Sequence, residues 1–528
     1  MRSVVLFYPR TGWDREGMVS LPLSVLAVGG YLESRGVEVR IVDQRSDPDP
    51  LQALEDAVRS LAPTFVGVSS MTGLQIQGAL DAARVVRRVA PQVPIVWGGV
   101  HPTLMTEQTL AHPLVDWVVR GEGEETAFEL LEALEAGRPG WDVPGVSGRD
   151  PAGRFVHAPD RPFLDLDELP PLSTRLVDFR RYRTRQVLGE WDLRVNTSRG
   201  CPHACSYCYN VPFNNRRWRA QSAGRVLAEI DHLSAAFDVR AFYVGDDDFF
   251  ANRKRVAELC HLLIERGSPY RLKANCLLEY LVRLDESELT LWRRAGFVEL
   301  YVGVETASPE ILDSVNKRVV GGDVIQANRK LRAAGIVPVY SFMAGFPEET
   351  TERLQATLDL MRALKRDNPE ARLTQLHLLA VYPGTPLFPK AQSLGVELPS
   401  TLEGWSEYHW NQIDYPWLDD DAKRFLRDAS LFTGFLDGRT LAEYLLDGPA
   451  VRALVRVYGA IVRARIALRF YRFMPEIRLL AAVVSRRLEA AREASAGSPA
   501  TRPLAAPGGV RSALVVPRPA AQAAALQS

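Results

Sequence analysis

The sequence has little of several features that each define a class of protein. Only five of its 528 residues are cysteine, which excludes a fold held together by disulfides. Its 64 basic residues are balanced by 64 acidic ones, whereas proteins that live on nucleic acid usually carry a basic excess, so no nucleic-acid partner is expected. It has no run of 18 uncharged apolar residues, and its start does not resemble a secretory signal. At about 150 residues per domain, we expect roughly three globular domains in the reducing cytoplasm.

Residues 1–140 alternate short apolar runs with amphipathic helical patterns. The apolar runs predict five strands, at residues 4–8, 39–42, 65–69, 95–97 and 117–119. The helical patterns between them end at glycine or proline, as over residues 21–34, 51–61 and 74–89. Such β-α units predict an α/β fold with a doubly wound parallel sheet, whose ligands would lie at the carboxyl ends of its strands.

The rest of the chain divides into four further regions. We expect a connector over residues 141–190, in which residues 146–156 form a β-hairpin. Residues 191–395 contain six strand-like runs separated by helical stretches, which predicts a partial (β/α)6 barrel, because a closed eight-stranded barrel needs about 250 residues. These runs lie at 193–197, 241–244, 271–275, 299–304, 337–342 and 376–382. A helical C-terminal region at 396–494 and a disordered tail at 495–528, rich in Ala, Pro and Gly, complete the chain.

Three of the five cysteines lie within eight positions, on a loop that directly follows a predicted strand. They are Cys201, Cys205 and Cys208. A short loop of this kind can point three thiolates at one centre, and thiolates suit iron–sulfur clusters and zinc. Structural zinc needs four ligands, whereas Cys260 and Cys276 are far along the chain. A four-iron cluster held by three thiolates would leave one iron open to a small molecule, and a zinc knuckle or incidental surface cysteines are the alternatives.

The spacing Cys-x3-Cys-x2-Cys, with Tyr207 just before the third cysteine, resembles that of radical S-adenosylmethionine (SAM) enzymes. Four later stretches look like the motifs of this family in their usual order: GDDDFF at 245–250, GVETAS at 303–308, GFPEET at 345–350 and YPGTPL at 382–387. A doubly wound domain before the barrel, with GGVHPT at 98–103 and RGEGE at 120–124, resembles the cobalamin-binding branch. That branch includes the anaerobic magnesium-protoporphyrin ester cyclases and carbon methylases.

The resemblance implies three cofactors, a 4Fe-4S cluster, SAM and cobalamin, and a set of residues for each. The cluster would be held by Cys201, Cys205 and Cys208. SAM would be bound by Tyr207, Asp246, Asp247, Gly303, Glu305, Gly345 and Pro383. Cobalamin would be bound by Ser69, Ser70, Thr72, Gly98, Gly99 and Gly121.

Some of these residues have plainer alternatives. The aspartates at 246–248 would also suit a solvated turn and helix cap. Cys276, a candidate radical-quenching thiol, would also suit a buried apolar position. The stretch 8–17 lacks the cobalt-ligating histidine of many cobalamin proteins, and His101 would also suit a hydrogen-bonded loop position. The whole first domain would also fit a Rossmann-like scaffold that has lost its ligand.

The resemblance also implies an activity. It indicates a radical SAM enzyme that uses a 5′-deoxyadenosyl radical on an unactivated carbon, with C-methylation through methylcobalamin as the leading expectation. A radical oxidative cyclase or rearranging enzyme is the first alternative, and a non-catalytic cobalamin or iron–sulfur sensor is the second. The expected partners are a small-molecule substrate and a one-electron donor such as flavodoxin or ferredoxin. Nine arginines and one glutamate at 452–487 indicate either a weak membrane-surface contact or docking against the acidic stretch 419–421 and the preceding domains, with the arginines exposed.

Overall fold

Two seven-stranded sheets and one short ribbon organise the chain. The computed structural model describes residues 2–11, 14, 19–317, 321–408, 415–437, 449–471 and 474–475. The predicted disordered tail at 495–528 lies outside the described residues, as does the arginine-rich stretch beyond residue 475. Among the described helices, none combines the length and apolarity that crossing a bilayer requires.

The first sheet is doubly wound, as predicted. Its strands are β1 (Ser3–Tyr8), β2 (Glu38–Asp43), β3 (Phe65–Ser69), β4 (Ile95–Gly98), β5 (Trp117–Val119), β6 (Val146–Arg149) and β7 (Phe155–His157). They are ordered β2-β1-β3-β4-β5-β6-β7, and β1 to β5 run parallel. The helices here are α1 (Leu23–Ser34), α2 (Pro50–Leu61), α3 (Leu74–Val89), α4 (Val100–Leu104), α5 (Thr106–Ala111) and α6 (Glu124–Glu135).

Helices cover both faces of this sheet. Val4 and Leu6 of β1 join the apolar cluster that contains α1 and α6 residues, whereas Val5 and Phe7 join the cluster that contains α2 and α3 residues. Successive side chains of a strand point to opposite faces, so all four are buried in one layer or the other. The carboxyl ends of the parallel strands therefore remain the open edge at which a ligand can bind.

The second sheet contains the six predicted parallel strands. The strands of this region are β8 (Thr184–Val187), β9 (Glu190–Val195), β10 (Ser198–Arg199), β11 (Arg219–Ala220), β12 (Ala241–Val244), β13 (Arg271–Leu277), β14 (Phe297–Glu305), β15 (Val337–Ala344) and β16 (Arg372–Leu378). The sheet is ordered β16-β15-β14-β13-β12-β9-β8, with β8 antiparallel to β9 and the other pairs parallel. β10 and β11 pair as a separate antiparallel ribbon.

Helices separate most of these parallel strands, which gives the partial barrel. They are α7 (Asn210–Phe213), α8 (Ala223–Phe237), α9 (Arg253–Glu265), α10 (Leu278–Arg283), α11 (Glu286–Arg294), α12 (Pro309–Ser314), α13 (Gly321–Ala334), α14 (Thr351–Asp367) and α15 (Leu387–Ser393). The C-terminal helices are α16 (Leu402–Ser406), α17 (Asp420–Thr433) and α18 (Pro449–Leu468). Of these, α16 packs on α3, α17 on β16 and α18 on α14.

The predicted hairpin at 146–156 is formed by β6 and β7, and β6 pairs with the free edge of β5, so the hairpin extends the first sheet. Two strand ends predicted from the sequence need correction. β9 ends at Val195, since Thr197 donates to Asp246 instead of continuing the strand. β16 ends at Leu378, after which Tyr408 and Tyr415 donate to the carbonyls of residues 381 and 379.

The acidic stretch 419–421 does not dock against the arginine-rich helix in the part of the chain that the structure describes. Asp419 instead caps α17 by accepting from the backbone N–H of Ala422, and Asp421 pairs with Arg424 one turn later. Carboxylates are favoured in the first turn of a helix by its orphan N–H groups and its dipole. Five of the nine arginine side chains of the stretch 452–487 lie outside the described residues, so docking against 419–421 stays untested, while α18 does pack on α14 of the barrel.

Candidate functional site

The three clustered cysteines lie on the loop between β10 and α7. All three are free thiols and half-buried. Neighbouring loops of the barrel hold this loop through its backbone: Ser206 N–H donates to Val315 O at 3.1 Å, and Leu387 N–H donates to Ser206 O at 2.9 Å. The loop is therefore fixed from two sides, by the segments that follow β14 and β16.

The donor set fits an iron–sulfur cluster. Burial raises the pKa of all three thiols, that of Cys208 to about 12, so a bound cluster must displace their protons. Neither of the other two cysteines, both buried, belongs to this loop. In the described ranges, no three His, Cys, Asp or Glu side chains are grouped as ligands of a single metal ion.

Glu305 forms a buried ion pair that the sequence did not reveal. Lys317 Nζ donates to Glu305 Oε1 at 2.6 Å and to Gly303 O at 2.8 Å. Burial alone would lower the pKa of Lys317, but Glu305 beside it raises it, so the lysine stays charged. A Cβ at Gly303 would lie 2.5 Å from Glu305 Oε1, which explains why glycine stands there. The only signal in the sequence was a lysine twelve positions after the glutamate.

Tyr207 joins this pair to the cluster loop. Its hydroxyl donates to Glu305, and its ring lies 5.9 Å from the ring of Phe346, edge to face. Phe346 follows Gly345, whose positive φ of 91° suits glycine and whose N–H donates to Glu349. Pro383 is buried on the loop that follows β16 and leads into α15. The predicted SAM residues on β14, β15 and the loop after β16 thus share one end of the barrel.

The three aspartates at 246–248 have three different surroundings. Asp246 is buried, and its carboxylate accepts from the Thr197 N–H, the Thr197 hydroxyl and the Ser198 hydroxyl, so it positions the chain before the cysteine loop. Asp247 is exposed into a cavity and accepts from the side chain of Asn210. The alternative of a solvated turn and helix cap is wrong, because two of the three are buried and none caps the following turn.

Asp248 is the aspartate of the three that keeps a buried carboxylate oxygen without a partner. Its Oδ2 accepts from the Tyr280 hydroxyl at 2.9 Å and lies 3.9 Å from Cys201 Sγ. Its Oδ1 is buried without a hydrogen-bond partner. Burial raises the pKa of Asp248 to about 7. A buried acceptor left unpaired beside the cluster loop fits a cationic donor such as the ammonium group of SAM. Cys276 is buried nearby at 3 % exposure, as the plainer alternative expects.

A cavity of about 510 Å³ separates the carboxyl ends of the first sheet from the cysteine loop. Five of the six predicted cobalamin residues line it: Ser69, Ser70, Gly98, Gly99 and Gly121. The barrel contributes the opposite wall, which includes Arg194, Asn196, Tyr209 and Asp247. Gly99 has a φ of 98°, and a Cβ there would lie 2.8 Å from Ser70 O. This glycine-lined edge with serine hydroxyls fits a large, polar cofactor such as cobalamin.

Thr72, the sixth predicted residue, is turned away from the cavity lining. Its hydroxyl lies 2.9 Å from Nδ1 of His101, which is buried and packs against the Trp405 ring at 5.6 Å. Burial lowers the pKa of His101 to about 4, so its ring is neutral. The plainer alternative of a hydrogen-bonded loop histidine therefore describes this residue. Of the stretch 8–17, residues 12, 13 and 15–17 lie outside the described residues.

Four charged residues join the two halves of the cavity. Arg199 Nη1 lies 2.8 Å from Glu122 Oε1, and Arg199 Nη2 lies 2.5 Å from Glu124 Oε1. Arg219 Nη1 lies 2.8 Å from Glu122 Oε2. Burial would raise the pKa of Glu122, but the two arginines lower it below its usual range. Sequence reasoning missed this network, although Glu122 and Glu124 belong to the RGEGE stretch and Arg199 lies two positions before the first cysteine.

Comparisons with known proteins agree with this geometry. Residues 17–131 match the B12-binding domain, and residues 195–361 match the radical SAM superfamily. The chain therefore combines a B12-binding domain with a radical SAM domain, and the cofactors of these two domains are a 4Fe-4S cluster, SAM and cobalamin.

Two relatives and one solved structure illustrate the similarity. An uncharacterised methyltransferase of Pyrococcus horikoshii is 29% identical over 435 residues, which cover 80% of this chain and 90% of that protein. The anaerobic magnesium-protoporphyrin IX monomethyl ester cyclase of Rubrivivax gelatinosus is 31% identical over 350 residues, 65% of this chain and 62% of the cyclase. A radical SAM methyltransferase of Kitasatospora setae, solved with cobalamin and a 4Fe-4S cluster, has the same fold, with a TM-score of 0.67, 19% identity and coverage of 87% of this chain and 99% of that one.

Proposed function

We propose that this enzyme transfers a methyl group to an unactivated carbon of a small-molecule substrate. The observation that carries the proposal is the shared cavity, because the glycine-lined edge of the first sheet and the cysteine-loop side of the barrel form its two walls. When bound, the cluster supplies the electron that cleaves SAM to a 5′-deoxyadenosyl radical, and cobalamin supplies the methyl group. The similarity to a protein named as a methyltransferase, along 80% of this chain, supports the assignment.

The chain's own residues would bind, orient and shield the reactants. Cys201, Cys205 and Cys208 would hold the cluster, and the unpaired Asp248 Oδ1 would accept from the ammonium group of SAM. The Glu305–Lys317 pair and Tyr207 would hold this end of the barrel rigid around SAM.

The remaining predicted residues would act mainly through their backbone and shape. Gly303, Gly345 and Pro383 would let SAM approach the backbone closely at this end of the barrel. Ser69, Ser70, Gly98, Gly99 and Gly121 would surround one side of cobalamin. Asp247 would reach the cavity from the barrel side, while Asp246 and Thr72 would act by positioning their own loops.

An oxidative cyclase is the second candidate, because a named cyclase is 31% identical over 65% of this chain. The two reactions leave different products from SAM. A methylase converts one SAM to S-adenosylhomocysteine and cleaves another to 5′-deoxyadenosine. A cyclase that does not transfer the methyl group of SAM yields 5′-deoxyadenosine without S-adenosylhomocysteine.

The test is an anaerobic incubation of the reconstituted protein with hydroxocobalamin, a reductant and methyl-labelled SAM. We expect S-adenosylhomocysteine in an amount equal to the added hydroxocobalamin, and its absence would reject methylation in favour of the cyclase. Cys201→Ala should abolish 5′-deoxyadenosine, while Cys260→Ala, a matched change at a buried thiol on α9, should not. Binding of both cofactors by the native protein without any 5′-deoxyadenosine would point to the sensor alternative.

We also propose that an acidic one-electron carrier of the flavodoxin or ferredoxin type docks beside the cluster loop. Arg216 and Arg217 are exposed there, and Arg216 donates to the carbonyl of Pro202 at 3.3 Å, one residue after Cys201. Opposite charge steers such encounters. Arg216→Glu should slow reduction of the cluster by flavodoxin but not by dithionite, and Arg294→Glu, an exposed change on α11, should affect neither.

A cytoplasmic location and a weak contact with a membrane surface complete the proposal. All five cysteines are free, as a reducing compartment would keep them. Helix α18 exposes Val457, Ile461 and Leu468 beside exposed Arg456 and Arg469. Apolar side chains flanked by arginines suit the surface of an anionic bilayer.

A further inference from the structure

Two arginines of the barrel and two glutamates of the first sheet form what we call the charge clamp: Arg199, Arg219, Glu122 and Glu124. Arg199 and Arg219 face each other across the β10–β11 ribbon. Arg199 Nη1 donates to Glu122 at 2.8 Å, and Arg199 Nη2 donates to Glu124 at 2.5 Å. Arg219 also donates to Glu122. The glutamate side chains are only 7% and 4% exposed. The clamp is therefore a buried network and not a surface ion pair.

The clamp connects the loops that serve two different cofactors. Arg199 lies two positions before Cys201, and Gly200 between them packs so closely that a Cβ there would lie 1.9 Å from Arg217 O. Glu122 lies between Gly121 and Gly123, and all three line the cavity. Arg199 therefore links the start of the cysteine loop to the cavity edge at residues 121–124.

We propose that Arg199 is a positioning residue that couples cobalamin binding in the cavity to SAM binding at the cluster. A ligand that orders one loop also orders the other through the clamp, so the second ligand loses less conformational freedom when it binds. By linkage, each ligand must then tighten the other by the same factor. This inference rests on the two cofactors and not on the reaction, so a binding experiment tests it whether the enzyme methylates or cyclises its substrate.

The experiment titrates cluster-loaded protein with hydroxocobalamin, followed by absorbance, with and without saturating SAM. For the native protein we expect SAM to tighten hydroxocobalamin binding by about fivefold or more, in the range usual for coupled sites. Arg199→Gln should reduce this ratio to about 1, and Arg199→Lys, which keeps a charge but only one strong pair, should give an intermediate ratio. Binding of labelled SAM to the oxidised, cluster-loaded protein, followed by equilibrium dialysis without reductant, should tighten by the same factor when hydroxocobalamin is added.

A matched control separates coupling from general loss of structure. Arg161→Gln likewise removes a half-buried arginine that bridges two glutamates, here Glu125 and Glu129 of α6, but both lie outside the cavity wall. It should leave the ratio unchanged. If Arg199→Gln fails to hold a cluster, Glu124→Gln provides the same test, because it keeps the side chain's volume and removes one charge. A native ratio near 1, or an equal loss of coupling in Arg161→Gln, would overturn the inference.

Discussion

At the scale of single residues, Glu349 is a carboxyl group that folding holds protonated near neutral pH. It is 8% exposed, its Oε2 accepts from the N–H of Gly345, and its Oε1 is buried without a partner. Burial raises its pKa from 4.5 to about 7. Between these two values the folded protein keeps a proton that the unfolded chain releases, so the free energy of unfolding falls as the pH rises through this window.

Glu349→Gln removes this titration, because an amide keeps an oxygen for Gly345 and carries no charge. We expect the melting temperature of the variant, relative to the native protein, to increase between pH 5 and pH 7 and then to level off. The corresponding gain in the free energy of unfolding is at most about 3 kcal/mol. Glu352→Gln, an exposed change in the first turn of α14, is the control and should not produce this rise. A constant difference between Glu349→Gln and the native protein at every pH would contradict the argument.

The buried pair of Lys317 and Glu305 allows a second prediction at this scale. Lys317→Met should destabilise the protein by about 3–5 kcal/mol, because it leaves a carboxylate buried without its counter-ion. It should also weaken SAM binding, since Glu305 is held in a left-handed conformation, with a φ of 67°, beside the cluster loop. The double variant Lys317→Met/Glu305→Gln should recover most of the free energy of unfolding. Denaturant unfolding of the three proteins measures this, and equal stability of the single and double variants would reject the explanation.

At the scale of secondary structure elements, the hydrophobic pattern of the sequence predicts those features that depend on neighbouring residues. The central parallel strands of both sheets, such as β1, β3, β12 and β14, are mostly buried, and their apolar runs allow their positions to be predicted from the sequence. The end of β9 was misplaced because Thr197 bonds with Asp246, 49 residues later. The pairing of Arg199 with Glu122 spans 77 residues. No periodicity encodes such contacts, which is why the cluster loop was predictable while its supporting charges were not.

Helix α18 has two apolar faces, only one of which has a partner in the described chain. Val455, Val462 and Ile466 are buried, whereas Val457 is 61% and Leu468 77% exposed. If the outer face meets an anionic bilayer, a Val457→Asp/Ile461→Asp variant should lose most of its binding to phosphatidylglycerol vesicles in a flotation assay. Leu394→Asp, at an exposed apolar residue just after α15, should bind like the native protein. Equal binding of the native protein to phosphatidylcholine vesicles would reject a role for charge. No binding of the native protein to either kind of vesicle would reject the membrane contact itself.

At the scale of the whole molecule, the chain after the barrel returns to complete the core of the first sheet. Helix α16 places Leu402 and Trp405 in the apolar cluster that also contains residues of α3. The Trp405 ring is fully buried, and its Nε1 donates to Gln108 Oε1 at 2.5 Å. The core of the first sheet is therefore completed by Trp405, which lies almost three hundred positions after Gln108. The whole sequence of the barrel lies between these two residues.

Because α16 completes the core of the first sheet, we expect it to make the first sheet and the barrel unfold together. Trp405→Ala removes about 3–5 kcal/mol of packing where α16 joins the first sheet to α15 of the barrel, and so should separate the unfolding of the sheet from that of the barrel. Calorimetry should then show two transitions in place of one, and hydroxocobalamin should raise the temperature of the lower one preferentially, because a ligand stabilises the part that binds it. Trp191→Ala, at a tryptophan 46% exposed on β9, should keep a single transition. A single transition in Trp405→Ala would mean that contacts other than α16, foremost the charge clamp, hold the two sheets together.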